Sequence, residues 1–491
     1  MGNVFTELIL GLRDHGHRNA FRIGPTFHSY TELNEAVDRI RAQIRQLPFE
    51  PVMALMAHDH LLTYAGIIAL WAEGRAYVPL SPGSPHVRNL DVLAQSGART
   101  VLSSGETAPL DGAVLVRTDL LPSTEEHLPP LSVSGGTIAY LLFTSGTTGR
   151  PKGVPISRDA VAAFVDAFER MGFNVVPEDR CLQMFELTFD LSVMSYLIPL
   201  LKGACVYPVP KEEIKYTYIH ELLEDQSITV ALMVPSILNF LRPYFEEVHC
   251  PSLRANLFCG EALPLDVLAE WAKCVPNARI VNVYGPTEHT IFCTELEYGR
   301  SGKNKERNGI LAIGKPMHGT TVAIIGEDRK PVPDGTAGEL CLAGPQATSG
   351  YWNDPARNAE SFIPLGGNFG GTPFYRTGDR CQQDADGDLL YLGRVDHQVK
   401  VQGFRVELAE VEHHAKGELD KRNLVAVAVP NAQGNTELVV VVEGGLPDVT
   451  AYIKRLRAVL PPYMVPAKVM QLDRLPLNTN GKIDRPAVAA W

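Results

Sequence analysis

The stretch Leu141-Leu142-Phe143-Thr144-Ser145-Gly146-Thr147-Thr148-Gly149-Arg150-Pro151-Lys152-Gly153 decides how this chain is read. An apolar, strand-like run enters it, which presents the following loop at a sheet edge. Three glycines then let the backbone come close to a ligand, and successive N–H groups can form an anion-binding nest. The hydroxyls of Thr144, Ser145, Thr147 and Thr148 add donors, and Lys152 adds a point charge. The order Gly-x4-Gly-Lys-Ser/Thr is absent, so this is no Walker A loop. A flexible Ser/Thr/Gly linker would have a similar composition. The unbroken hydroxyl and glycine positions, closed by Arg150-Pro151-Lys152-Gly153, read instead as a grip on a polyphosphate.

Outward from the loop, strand-like and helical runs alternate. Helical spacing of Leu33, Ala36, Val37, Ile40 and Ile44 predicts a helix over 31–46. A strand over 52–56 follows, then a helical segment from His60 closed by Gly74. After the strand over 138–143, Ser157 reads as the N-cap of a helix that stops at Gly172. Strand-like runs at 205–209, 230–234, 256–259 and 280–284 each flank another helical stretch. The pattern predicts an α/β body with parallel sheet, its chemistry on the loops at strand ends. From about residue 318, the turn-rich Pro331-Val332-Pro333-Asp334-Gly335 between strand-like runs marks a small β-rich unit. Beyond Gly393 a shorter α+β region predicts a small C-terminal cap, with a helix over 408–416.

Composition narrows the function classes. With 45 Lys+Arg against 56 Asp+Glu, the net charge of −11 argues against a broad phosphate-backbone binder. The 45% hydrophobic and 21% charged fractions suit a globular chain and exclude low-complexity or collagen-like sequence. The eight cysteines include no CxxC pair, so neither a zinc ribbon nor a thioredoxin-like motif is present. No secretory signal is visible, and the apolar run at 65–71 is far short of a membrane span, so a cytoplasmic address is expected.

The loop resembles the phosphate loop of the adenylate-forming superfamily: acyl-CoA synthetases, firefly luciferase and the adenylation domains of nonribosomal peptide synthetases. Further motifs resemble that family in its own order. They are Leu70-Trp71-Ala72-Glu73-Gly74, Phe189-Asp190-Leu191-Ser192, Asn282-Val283-Tyr284-Gly285-Pro286-Thr287-Glu288 and Gly338-Glu339-Leu340. Then come Tyr375-Arg376-Thr377-Gly378-Asp379, Gly393-Arg394-Val395-Asp396, Leu460-Pro461-Pro462-Tyr463 and Asn480-Gly481-Lys482-Ile483-Asp484. The resemblance implies attack of a carboxylate on the α-phosphorus of ATP, giving an acyl adenylate and pyrophosphate. It implies a core over 1–395 and a mobile cap over 396–491, hinged at Asp396.

Roles follow from the same resemblance. Thr144, Ser145, Gly146, Thr147, Thr148, Gly149 and Lys152 hold the β- and γ-phosphates. Glu288 takes magnesium, for which a single carboxylate beside phosphate oxygens suits a hard cation. Tyr284 stacks on adenine, with Gly260, Asn282, Gly285, Pro286 and Thr287 beside it. Asp379 accepts the ribose hydroxyls, an acceptor-only role, and Tyr391 and Arg394 border the ribose. Lys482 is the catalytic lysine of adenylation. Lys400, on the other face of the cap, belongs to the second half-reaction, and Gly403 lets the acceptor's thiol arm pass.

Asp190 distinguishes activators of amino acids, where a buried carboxylate pairs with the α-ammonium. Leu191, Met194, Leu232, Leu257, Cys259, Val283, Ile291 and Phe292 complete the pocket by motif alignment. An uncharged, crowded wall, Phe292 above all, implies a small neutral amino acid, glycine or alanine. The motifs resemble D-alanine–carrier protein ligases in particular, and proline stays open. The chain carries no phosphopantetheine attachment site and no condensation motif, so a phosphopantetheinylated carrier protein in trans is the expected acceptor. Coenzyme A is the alternative. A non-enzymatic ATP sensor would require loss of Lys482, Glu288 or Asp379, and all three are present.

Overall fold

The computed structural model describes residues 4–124, 127–146, 149–211, 213–366, 369–417, 419, 422–446, 448–477 and 483–491. Two large sheets form the α/β body. One has nine strands, with Arg279–Tyr284, Ala255–Phe258, Val230–Met233, Arg180–Gln183, Cys205–Pro208 and Asn19–Ile23 parallel in that spatial order. Antiparallel strands close both its edges. The other has six strands, ending on the hairpin Ile138–Thr144 with Lys152–Ser157.

Local chemistry sets the boundaries of these elements. Ser29 caps the helix Tyr30–Arg45 through a capping box with Glu32. Ser157 accepts from the Ala160 N–H at the start of Arg158–Arg170. The helix Leu61–Ala72 is buried all round and sits inside the core, where Phe5 packs edge-on to Trp71 at 5.0 Å.

One element departs from the sequence reading. Residues Lys152–Ser157 form a strand, so the glycine-rich loop joins two antiparallel strands. Val154 and Ile156 bury against the core, and Pro155, which lacks an N–H, is tolerated because this strand lies at the sheet edge.

After residue 318 an antiparallel five-stranded sheet contains Thr321–Ile325, Gly338–Ala343, Pro373–Gln383 and Leu389–Arg394. The C-terminal region has its own apolar clusters, built around the hairpin Gln398–Val401 with Phe404–Glu407 and the helix Leu408–Lys416. A three-stranded sheet of Leu424–Pro430, Thr436–Glu443 and Lys468–Leu472 completes it. Among the described residues, no helix is long and apolar enough to cross a membrane.

Candidate functional site

The C-terminal ends of Ala255–Phe258 and Arg279–Tyr284 open onto a cavity of about 1180 Å³, its open mouth included, which the C-terminal hairpin roofs over. Thr144, Ser145, Asp190, Leu191, Cys259, Gly260, Asn282, Val283, Tyr284, Gly285, Pro286, Thr287, Ile291, Asp379, Tyr391, Arg394 and Lys400 all line it. Ser145 and Arg405, 260 positions apart in the chain, meet at this one space.

Asp379 stands at one side. Its carboxylate accepts from the Tyr284 hydroxyl at 2.5 Å and from Arg394 Nη1 at 2.7 Å. Arg394 also holds Asp396 through Nε and Nη2, at 2.6 and 2.7 Å. Asp396 thus sits outside the cavity wall, tied to it through one guanidinium.

Glu288 is fully buried behind the loop. Arg405 Nη1 donates to both its oxygens at 2.9 and 2.7 Å, and Tyr351 Oη donates at 2.7 Å. Lys152 Nζ lies 3.3 Å away. Burial by itself would raise the Glu288 carboxyl, but Arg405 and then Lys152 hold it well below the usual carboxylate range. Burial, with Arg405 beside it, pushes Lys152 down to about 8 against the pull of Glu288. Glu288 therefore already serves as a receptor for cations, which fits a divalent ion. Thr144 Oγ1, at the mouth of the glycine-rich loop, is buried without a hydrogen-bond partner among the described residues. A buried unpaired hydroxyl costs about 1–3 kcal/mol, and an incoming phosphate oxygen would satisfy it.

Asp190 is buried, and its Oδ2 has no hydrogen-bond partner among the described residues. Burial raises its carboxyl to about 6, opposed by the Thr287 hydroxyl, by Lys400 and by the Ile291 N–H. Lys400 is half-buried, and desolvation together with Arg405 lowers it, while Asp379 acts in the opposite sense.

Four pocket residues do not take the expected places. Met194 and Leu232 line a separate small apolar cavity with Cys181, Val230 and Pro199. Leu257 and Phe292 are fully buried and line neither cavity. Phe292 stacks edge-on to Phe164 at 4.9 Å and lies 6.4 Å from Phe168. The reason is a turn just before it, where Thr290 and Ile291 have φ of 46° and 73°. Such values are rare for β-branched residues and break the alternation of side-chain directions. Gln346 Nε2 holds this turn by donating to the carbonyls of Thr290 and Phe292 at 3.2 and 3.0 Å. Thr147, Thr148 and Lys482 lie outside the described residues.

Sequence reasoning missed four participants. Arg405 reaches Glu288, and Glu410 Oε2 accepts from the Gly146 N–H at 3.0 Å. Glu261 Oε1 accepts from the Gly403 N–H at 2.8 Å, and Tyr351 touches both Glu288 and Lys152. Their only local signal was position, since Arg405 and Glu410 closely follow Gly403. Gly403 has φ of 83°, and a Cβ there would lie 2.5 Å from Val234 Cγ1. The bare backbone is what lets the C-terminal hairpin close on the core.

Residues 12–352 match the family described as AMP-binding enzyme, and the chain belongs to that family of ATP-using, adenylate-forming ligases. It is 31% identical over 503 residues to the D-alanine–D-alanyl carrier protein ligase of Lactiplantibacillus plantarum, covering 98% of this chain and 97% of that one. It is 32% identical over 480 residues to a dimodular nonribosomal peptide synthase of Bacillus subtilis. There 94% of this chain matches 20% of the relative, so the chain spans only a small part of that synthase. In fold it is similar to the Vibrio cholerae adenylation domain AlmE, solved in complex with glycyl-adenosine-5'-phosphate. The TM-score is 0.86 at 24% identity, covering 100% of this chain and 98% of that one.

Proposed function

We propose that this enzyme adenylates a small neutral amino acid, glycine or alanine with D-alanine included, and releases pyrophosphate. It then passes the aminoacyl group to the phosphopantetheine thiol of a separate carrier protein. The observation that carries this reading is Asp190, a buried carboxylate in the cavity with one oxygen unpaired among the described residues. An α-ammonium supplies the missing charge and donors together. The similarity to a carrier protein ligase along nearly its whole length supports the acceptor.

In this reading the loop Thr144–Lys152 grips the β- and γ-phosphates. Tyr284 flanks the adenine and, with Arg394, fixes Asp379 for the ribose hydroxyls. Glu288 holds magnesium, which screens the phosphate charge when bound. Residues 1–395 act as the core and 396–491 as a cap turning about Asp396. Lys482 serves adenylation, and Lys400 faces the site for thiol transfer. Smallness of the substrate rests on Leu191, Cys259, Val283 and Ile291 at the wall, with Met194 and Leu232 behind it.

The test is Asp190→Ala assayed for substrate activation and ATP binding. Activation of glycine and alanine should fall by at least about a hundredfold, since a site built for a charged partner rejects its loss strongly, while ATP affinity changes little. Unchanged activation would remove the amino-acid assignment.

A further inference from the structure

The turn at 290–292 is built against the ordinary preferences of its residues. Thr290 and Ile291 are β-branched and take φ of 46° and 73°, values that such residues adopt only where their surroundings hold them. On one side the turn rests on bare backbone, since a Cβ on Gly285 would lie 2.3 Å from the Phe292 Cα. On another stands Gln346, a buried residue just past the strand Gly338–Ala343. Its Nε2 donates to the carbonyls of Thr290 and Phe292, on either side of Ile291, at 3.2 and 3.0 Å. Its backbone carbonyl accepts from the Thr290 hydroxyl, so side chain and main chain grip the same turn. Gln346 Oε1, by contrast, has no partner among the described residues.

What this turn presents to the cavity is Ile291. Its side chain lines the wall, and its N–H bonds the Asp190 carboxylate, which also takes the Thr287 hydroxyl. Oδ2 of Asp190 is left unpaired among the described residues, available to an α-ammonium. We propose that Gln346 is the positioning residue of the amino acid subsite. By spanning the two carbonyls that flank Ile291, it fixes both the N–H that orients Asp190 and the side chain that limits the substrate. Gln346 does not itself line the cavity, so it acts through the turn. Chemistry sets the direction of its amide, because turned over its oxygen would face two carbonyls. An apolar side chain of similar length would fill the space but leave those carbonyls unpaired, and the left-handed backbone would lose its hold. The effect is confined to the amino acid, because Tyr284 and Asp379 on the nucleotide side are held by each other and by Arg394. The inference rests on the reading of Asp190 as the partner of an ammonium.

The experiment is ATP–pyrophosphate exchange by the full chain with glycine and both enantiomers of alanine, comparing the parent with Gln346→Met. Losing the brace should raise the KM of the preferred amino acid by about tenfold, the loss of one to two hydrogen bonds, while the KM of ATP keeps its parent value. That split separates a misplaced subsite from a damaged fold. A rescue arm adds Thr290→Gly to Gln346→Met. Glycine enters positive φ freely, so the turn no longer needs holding, and the amino acid KM should fall back toward that of the parent. If Gln346→Met does not fold, Gln346→Asn carries the test. It keeps an amide but is a methylene too short to span both carbonyls, and it should show the same split. An unchanged amino acid KM, a parallel rise in the KM of ATP, or a double variant no better than Gln346→Met overturns the positioning role alone. A parent that exchanges pyrophosphate with none of these amino acids overturns it together with the ammonium reading of Asp190.

Discussion

At Asp190, burial raises the carboxyl from 3.8 to about 6, and the cost of that charge appears only where the native state must release its proton. The native pKa lies above the unfolded one, so the folded state binds more protons between the two. Stability therefore falls as pH rises from about 4 to about 6, and the penalty is complete above that range, about 3 kcal/mol by linkage. Asp190→Asn should thus be more stable than the parent at pH 8 by up to about 3 kcal/mol and equal to it near pH 4. Thermal or urea unfolding at both pH values checks this, and an equal difference at both would mean that the charge is not the cause. The same variant should lose amino acid activation, so stability and function part company at one carboxylate. Activation by the parent should also decline below about pH 6, as Asp190 takes up its proton and can no longer attract an ammonium. A flat profile of exchange rate against pH between 5 and 8 would count against that role.

The hairpin Gln398–Val401 with Phe404–Glu407 is the element on which the observed arrangement turns, and Gly403 at its tip is the test point. A methyl there meets Val234 and forces an L-residue into left-handed backbone, which costs roughly 1–2 kcal/mol before any clash. Gly403→Ala should slow thioester formation by about tenfold or more while pyrophosphate exchange stays close to the parent rate. Parallel assays of the two half-reactions separate these outcomes, and an equal loss in both would show that Gly403 serves the whole fold. Legibility in the sequence follows a similar line. The loop at 141–153, Asp190, Tyr284, Glu288 and Asp379 each stand in short runs that resemble family motifs, so their expected roles could be stated before their surroundings were known, and Thr144, Ser145, Asp190, Tyr284 and Asp379 do meet around one cavity. Arg405, Glu410 and Glu261 could not, because their partners lie 117, 264 and 142 positions away and meet them only through docking. Read locally, a charged residue at the start of the helix Leu408–Lys416 belongs to its solvated face, yet Glu410 is buried. Phe292 misled for a different reason. The positive φ at Thr290 and Ile291 reverses side-chain direction, and β-branched residues give no hint of such a turn. The strand Lys152–Ser157 was hidden by Pro155, which reads as a breaker until the edge position is known.

Over the whole molecule, one cavity is shared by a core and a C-terminal unit that present Lys400 to it. If that unit turns about Asp396 to bring Lys482 in for the first half-reaction, the two lysines should be separable by kinetics. Lys482→Ala should abolish adenylate formation, by a hundred- to thousandfold, about 2.7–4 kcal/mol for a lost transition-state donor. Lys400→Ala should chiefly slow thiol transfer, and equal loss of pyrophosphate exchange in both variants would contradict the turning cap. Amino acid activation is the claim on which the rest depends, and ATP–pyrophosphate exchange over a panel of amino acids in both enantiomers, with acetate and propionate included, tests it most directly. Exchange that is strongest with glycine or alanine and absent with the des-amino acids is the predicted result; acetate or propionate supporting exchange as well as any amino acid would contradict it.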